Sequence, residues 1–114
     1  MNLLNKEQFN NLPKSQGDYL PEEETVIHTA LYIAESGWTF YIAEFDSEKE
    51  ELFGFVNGLE QEWRYYTLYE LNEIIEGGWQ MVFDTYFQPQ KFSELKPTIK
   101  PLIERDSEGN MIDI

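Results

Sequence analysis

Trp38-Thr39-Phe40-Tyr41-Ile42-Ala43-Glu44-Phe45, a polar tip from Asp46 to Glu51, and Leu52-Phe53-Gly54-Phe55-Val56-Asn57-Gly58-Leu59 decide the fold. Two aromatic, β-branched runs joined by a short polar segment are the pattern of a β-hairpin. A four-residue loop would set Asp46 opposite Glu51 and Ala43 opposite Gly54. One face then carries Trp38, Phe40, Ile42 and Glu44 beside Phe53, Phe55 and Asn57. The other carries Tyr41, Ala43 and Phe45 beside Leu52, Gly54 and Val56. Both faces are apolar near the middle, whereas a sheet with one wet face alternates more cleanly. Helices are therefore expected over one side, and a loop, the tail or a second subunit over the other.

On the C-terminal side, Glu60 to Tyr66 reads as a turn leading into a short strand. Thr67 then caps a helix, with Glu70 three residues later completing a capping box. Leu68, Leu71, Ile74 and Ile75 form its apolar stripe, and Gly77-Gly78 ends it. The spacing predicts a helix over 68–76. Trp79 to Phe87 reads as a further strand stopped by Gln88-Pro89, and Phe92 to Leu95 as one helical turn.

On the N-terminal side, Val26 to Ile33 is a β-branched strand pattern, and Glu35-Ser36-Gly37 is the turn after it. Asn5 and Gln8 suggest a capping box for a short N-terminal helix, with Leu4 and Phe9 as a hydrophobic staple. Leu12-Pro13 ends it. Pro13 to Glu24 reads as a loop. Pro97, Pro101 and Ser107-Glu108-Gly109-Asn110 mark residues 96–114 as an extended tail, docked or disordered, with a small hairpin as one option. The fold class is α+β: one domain over residues 1–95, an antiparallel sheet of four to five strands, the 68–76 helix on one face and the short N-terminal helix nearby.

The central block resembles a known pattern. Trp38-Thr39-Phe40-Tyr41-Ile42-Ala43-Glu44, Leu52-Phe53-Gly54-Phe55-Val56-Asn57-Gly58-Leu59 and Glu62-Trp63-Arg64-Tyr65-Tyr66-Thr67-Leu68-Tyr69-Glu70-Leu71 are similar to blocks of a numbered domain-of-unknown-function family. Its small proteins are carried on plasmids, conjugative elements and other mobile DNA. The resemblance spans about residues 3–95 and weakens at 79–87, where Val82-Phe83-Asp84-Thr85-Tyr86-Phe87 keeps only the Asp and the aromatics. Arg64 stands where the family has glycine. The resemblance implies a genomic setting and a compact fold, and no catalytic residues.

Charge is the strongest compositional signal. The 114 residues carry a net charge of −14, and 16% are aromatic, which argues for a packed core. Between Asp18 and Gln90 there are sixteen acids and only two bases, Lys49 and Arg64. Such a field disfavours direct nucleic-acid binding and would attract a protein partner with a basic surface, with mimicry of nucleic acid as a sharper version; the bland alternative is that the acidity only keeps the chain in solution. Glu70, Glu73 and Glu76 lie along the exposed side of the helix without lysine partners. Like charges at that spacing cost about 0.2–0.5 kcal/mol per pair. Glu70 has a capping role; Glu73 and Glu76 have none. Glu60 and Glu62 are added as partner-binding candidates.

Other chemistries are poorly provided for. There is no cysteine, so thiolate zinc sites and cysteine nucleophiles are excluded. His28 is the lone histidine, and no serine has a nucleophile-elbow context. No phosphate-loop or dinucleotide motif is found, and no cofactor is expected. The alternative is a carboxylate-based hydrolase or divalent-metal binder built on Glu44, Glu62 and Asp84. Its bland counterpart is that Glu44 and Glu62 accept hydrogen bonds from backbone or Arg64. A structural homodimer through a sheet face is a third reading. No signal-peptide pattern or membrane-length apolar run is found, which points to a cytoplasmic protein, monomeric or homodimeric.

Overall fold

Leu52, with no exposed surface, pairs with Phe45 next to the tip of the hairpin, so the core reaches almost to the turn. The computed structural model describes residues 3–17 and 20–102. The expected tail hairpin lies outside them. The strands are β1 (Val26–Ile27), β2 (Thr29–Ile33), β3 (Thr39–Asp46), β4 (Glu51–Asn57), β5 (Gln61–Thr67), β6 (Met81–Phe83) and β7 (Gln90–Lys91). The helices are α1 (Leu68–Glu76) and α2 (Phe92–Leu95), with 3-10 turns at Lys6–Phe9, Glu22–Glu24 and Lys96–Thr98. Five strands form an antiparallel sheet in the order β5-β4-β3-β2-β6, and β1 pairs separately with β7. The α+β expectation holds, with five strands. The β1–β7 ribbon is an addition to it.

The hairpin register differs from the expected one by a bulge. Asp46 pairs with Glu51 as expected, but Gly54 faces Ile42, because the register shifts between Ile42 and Glu44. The extra residue, Ala43, reverses side-chain direction beyond it. Phe40, Ile42 and Phe45 therefore share a face with Leu52 and Val56, while Tyr41 and Ala43 lie with Phe55 and Trp63. The period-2 reading missed this because a bulge leaves no mark in a run that is apolar on both sides.

Both faces are covered from within the chain. On the first, α1 buries Leu68, Leu71 and Ile75, and Phe9 and Leu12 join the same cluster. Each such side chain contributes about 1.5–3 kcal/mol. Thr67 caps α1 by accepting the Glu70 N–H at 3.1 Å. Asn72 ties the N-terminal segment to α1, accepting from Leu4 N at 2.8 Å and donating to the Leu4 carbonyl at 3.0 Å. On the second face, Phe92 and Leu95 of α2 pack on Ile27 and Ala43, flanked by Phe55, Trp63, Phe87 and Ile99. A loop segment and α2 thus provide the second cover.

Two expected strands are cut. The 26–33 run divides at His28, whose N–H bonds the Ile42 carbonyl at 2.9 Å just before the bulge. The 79–87 run pairs only at Met81–Phe83. Asp84 then accepts the Tyr86 N–H on its side chain at 3.1 Å and the Phe87 N–H on its carbonyl at 3.2 Å, which turns the chain away. Conversely, the short strand expected before Thr67 is a full seven residues.

Candidate functional site

The acidic stripe of α1 leads into a groove. Tyr69, Glu73 and Glu76 are exposed and follow one another at helical spacing, so they share a face. Glu70 is exposed beside them. At the end of this stripe a groove of about 540 Å³ is lined by Ile33, Ser36, Trp38, Glu73, Ile74, Gly77 and Trp79. Its size lies in the range of small-ligand and side-chain pockets. Its walls are mostly apolar, and Glu73 is the one acid on them.

The two tryptophans of the groove each follow a glycine in the left-handed region. Gly37 (φ +80°) precedes Trp38, and Gly78 (φ +98°) precedes Trp79. Gly78 N donates to the Ile75 carbonyl at 3.0 Å and Trp79 N to the Ile74 carbonyl at 3.3 Å. This is a Schellman ending, in which the residue after the glycine meets the helix's third-last residue through an apolar contact. Trp79 and Ile74 are that pair, and both line the groove. Trp79 remains 48% exposed. Trp38 is half-buried and lies over Gly58, where a methyl group would meet the indole ring at 2.5 Å. Across the turn, Glu35 accepts the Gln80 N–H at 3.0 Å, which holds the Trp38 and Trp79 turns side by side.

The electrostatics of the groove are one-sided. No basic residue lies in the last turn of α1, so the partial negative charge of its carbonyl end adds to Glu73 and Glu76. No lysine or arginine occurs between Arg64 and Lys91 in the sequence.

The remaining candidate residues are dispersed. Glu60 sits in the turn joining β4 to β5, its carbonyl accepting from Gly58 N at 3.1 Å. Glu62, on β5, pairs with Arg64 at 3.8 Å, both exposed. Glu44 lies opposite Phe53, and its Oε2 accepts the Gln16 N–H at 2.7 Å. Asp84 follows β6 at the other edge of the sheet, near Tyr41. β5 and β6 are the two edge strands, so Glu62 and Asp84 are separated by four strand spacings, roughly 19 Å. Glu62 faces the same side as its partner Val56, in the α1 core, while Glu44 shares the Phe53 side, where Trp63 stacks at 5.5 Å. Glu44, Glu62 and Asp84 therefore do not meet in one cleft. Among the described residues, no group of three or more His, Cys, Asp or Glu is placed to hold a metal ion.

Sequence reasoning named Glu73 but missed Trp38 and Trp79, reading them as strand residues. The signal was the repeated Gly-Trp dipeptide, a glycine turn that presents an indole at an element end. Comparisons with protein-family models, with curated proteins and with solved structures find no match to this chain. No helix among the described residues is long and apolar enough to cross a membrane.

Proposed function

We propose that this chain is a non-enzymatic protein-binding module that acts in the cytoplasm as an accessory protein of a mobile element, and that it holds a basic surface of another protein. The observation that carries this reading is the continuity of the α1 acids with the tryptophan groove. A merely solubilising acidic surface has no need of a half-exposed tryptophan beside it. The mobile-element setting rests on the resemblance of the central block. The spread of Glu44, Glu62 and Asp84 across the sheet counts against a carboxylate hydrolase or metal binder. The packing of α1 and α2 on the two faces leaves a sheet-face homodimer without a free apolar face.

The test is affinity capture from a lysate of cells carrying the element, at low and high salt. A partner should be retained at low salt, released at high salt, and lost when Glu70, Glu73 and Glu76 become Gln. Capture that survives both changes would sink the reading.

A further inference from the structure

We propose that the groove between Trp38 and Trp79 receives an arginine side chain borne on an apolar segment of the partner protein. This rests on the protein-binding reading and assigns it a site. Two indoles and the side chains of Ile33 and Ile74 offer flat and aliphatic contact, and Glu73 offers a carboxylate within the same walls. A guanidinium suits that combination. It is planar and weakly hydrated, stacks on an indole face, and keeps its N–H edge free to donate to a carboxylate. A lysine ammonium is a compact, strongly hydrated charge and would use the aromatic walls less well. The carbonyl end of α1 and Glu76 add negative potential at the mouth. The groove's 540 Å³ exceeds what one guanidinium fills, so apolar neighbours on the ligand would cover Ile33 and Ile74. Charge complementarity selects the occupant: a neutral apolar segment would leave Glu73 desolvated and unpaired, which is costly.

The test uses the full ¹⁵N-labelled chain and two short capped peptides, one with arginine between two leucines and one with citrulline in its place. Citrulline keeps the shape and removes the charge. Indole N–H signals of Trp38 and Trp79 should move saturably with the arginine peptide, while that of Trp63 stays still. Affinity should fall roughly tenfold with citrulline, and likewise for the arginine peptide with Glu73→Gln, as expected for losing one charge-assisted hydrogen bond. Equal response to both peptides, movement of Trp63 alone, or no movement would overturn the proposal. So would indole shifts on simple concentration of the protein, which place a second copy there. Shifts in Arg105→Gln without peptide would place this chain's own tail in the groove and overturn it as well. An unresponsive groove with salt-sensitive capture still lost in the triple Gln variant would sink this inference alone. Loss of that salt-sensitive capture behaviour would sink the protein-binding reading itself.

Discussion

Trp79 donates its backbone N–H to the Ile74 carbonyl at 3.3 Å, and the side chains of the same two residues line one groove. The helix end and the candidate site are therefore one device, and Gly78 is its pivot. At Gly78 a Cβ would meet nothing within 4 Å, yet φ is +98°. Gly78→Ala should thus cost about 1–2 kcal/mol through backbone strain alone. Gly77 has an ordinary helical φ of −75°, and Gly77→Ala should be neutral or stabilise by up to about 0.5 kcal/mol. Urea unfolding of the two variants checks the contrast; equal effects would refute this account of the turn.

Tyr66 buries its hydroxyl without a hydrogen-bond partner among the described residues. The ring is needed, since it packs on Phe40 at 5.3 Å beneath α1. The oxygen is not. Burial pushes the phenol's pKa far above its usual range, with Arg64 opposing only in part. Tyr66→Phe should therefore raise stability by about 1 kcal/mol, by removing an unsatisfied polar group while keeping the shape. An unfolding midpoint lower than that of the parent chain would show that the hydroxyl has a role.

What could be read from the sequence was the part governed by local rules. The bounds of α1 follow from Thr67, a 3.6-residue apolar stripe and two glycines, and all three act within one segment. The expectation that Glu44 accepts a hydrogen bond from backbone holds, whereas Glu62 meets Arg64 only as an exposed ion pair at 3.8 Å, too long for a hydrogen bond. What escaped depends on long-range placement. The carbonyl of the bulged Ala43 is bound by Gln16, 27 residues upstream. Trp38 and Trp79 face one groove because Glu35 joins their turns across 45 residues. Neither partner is marked by spacing. The two-sided apolar pattern did signal that both faces would be covered, but not that Phe92 and Leu95 would do it.

His28 gives the fold a pH dependence. Burial lowers its pKa from 6.5, so the unfolded chain binds a proton more readily than the folded one. Stability is then full above pH 6.5 and is lost as pH falls through the lowered folded value. His28→Gln should flatten the decline in unfolding midpoint just below pH 6.5. Parallel curves for the two chains from pH 7.5 to 5 would contradict this.

Gly54 should tolerate no side chain. It faces Ile42 on one side and Arg64 on the other, and a Cβ would run into the Tyr41 carbonyl oxygen. A backbone atom of a central strand has no room to withdraw. Gly54→Ala should cost about 2–4 kcal/mol, in the range of severe core overpacking. Thermal unfolding and the dispersion of its amide spectrum would report this. A native-like midpoint would mean that β3 and β4 can separate there.

Gln16 holds the bulge together with one amide. Its Nε2 donates to the Val26 carbonyl at 2.8 Å and to the Ala43 carbonyl at 3.0 Å, and its Oε1 accepts the Val26 N–H at 2.9 Å. Those backbone groups belong to β1 and to the bulged residue of β3, where the ladder is interrupted. Without the amide, two partly buried carbonyls lose donors, and each lost partner costs about 1–3 kcal/mol. Gln16→Glu is the sharp test because it preserves size. At neutral pH it removes both donors and sets a carboxylate against two carbonyl oxygens, so the loss should reach about 2–4 kcal/mol. Protonation of the new side chain restores one donor. The carbonyl oxygens hold the new carboxyl above the ordinary Glu value of about 4.3, so the stability gap to the parent chain should narrow as pH falls through that raised value and be smallest below about 4.3. Amide exchange at Val26 should quicken in the variant at pH 7 and recover toward parent protection in acid. A gap independent of pH would show that Gln16 acts through packing and not through its donors.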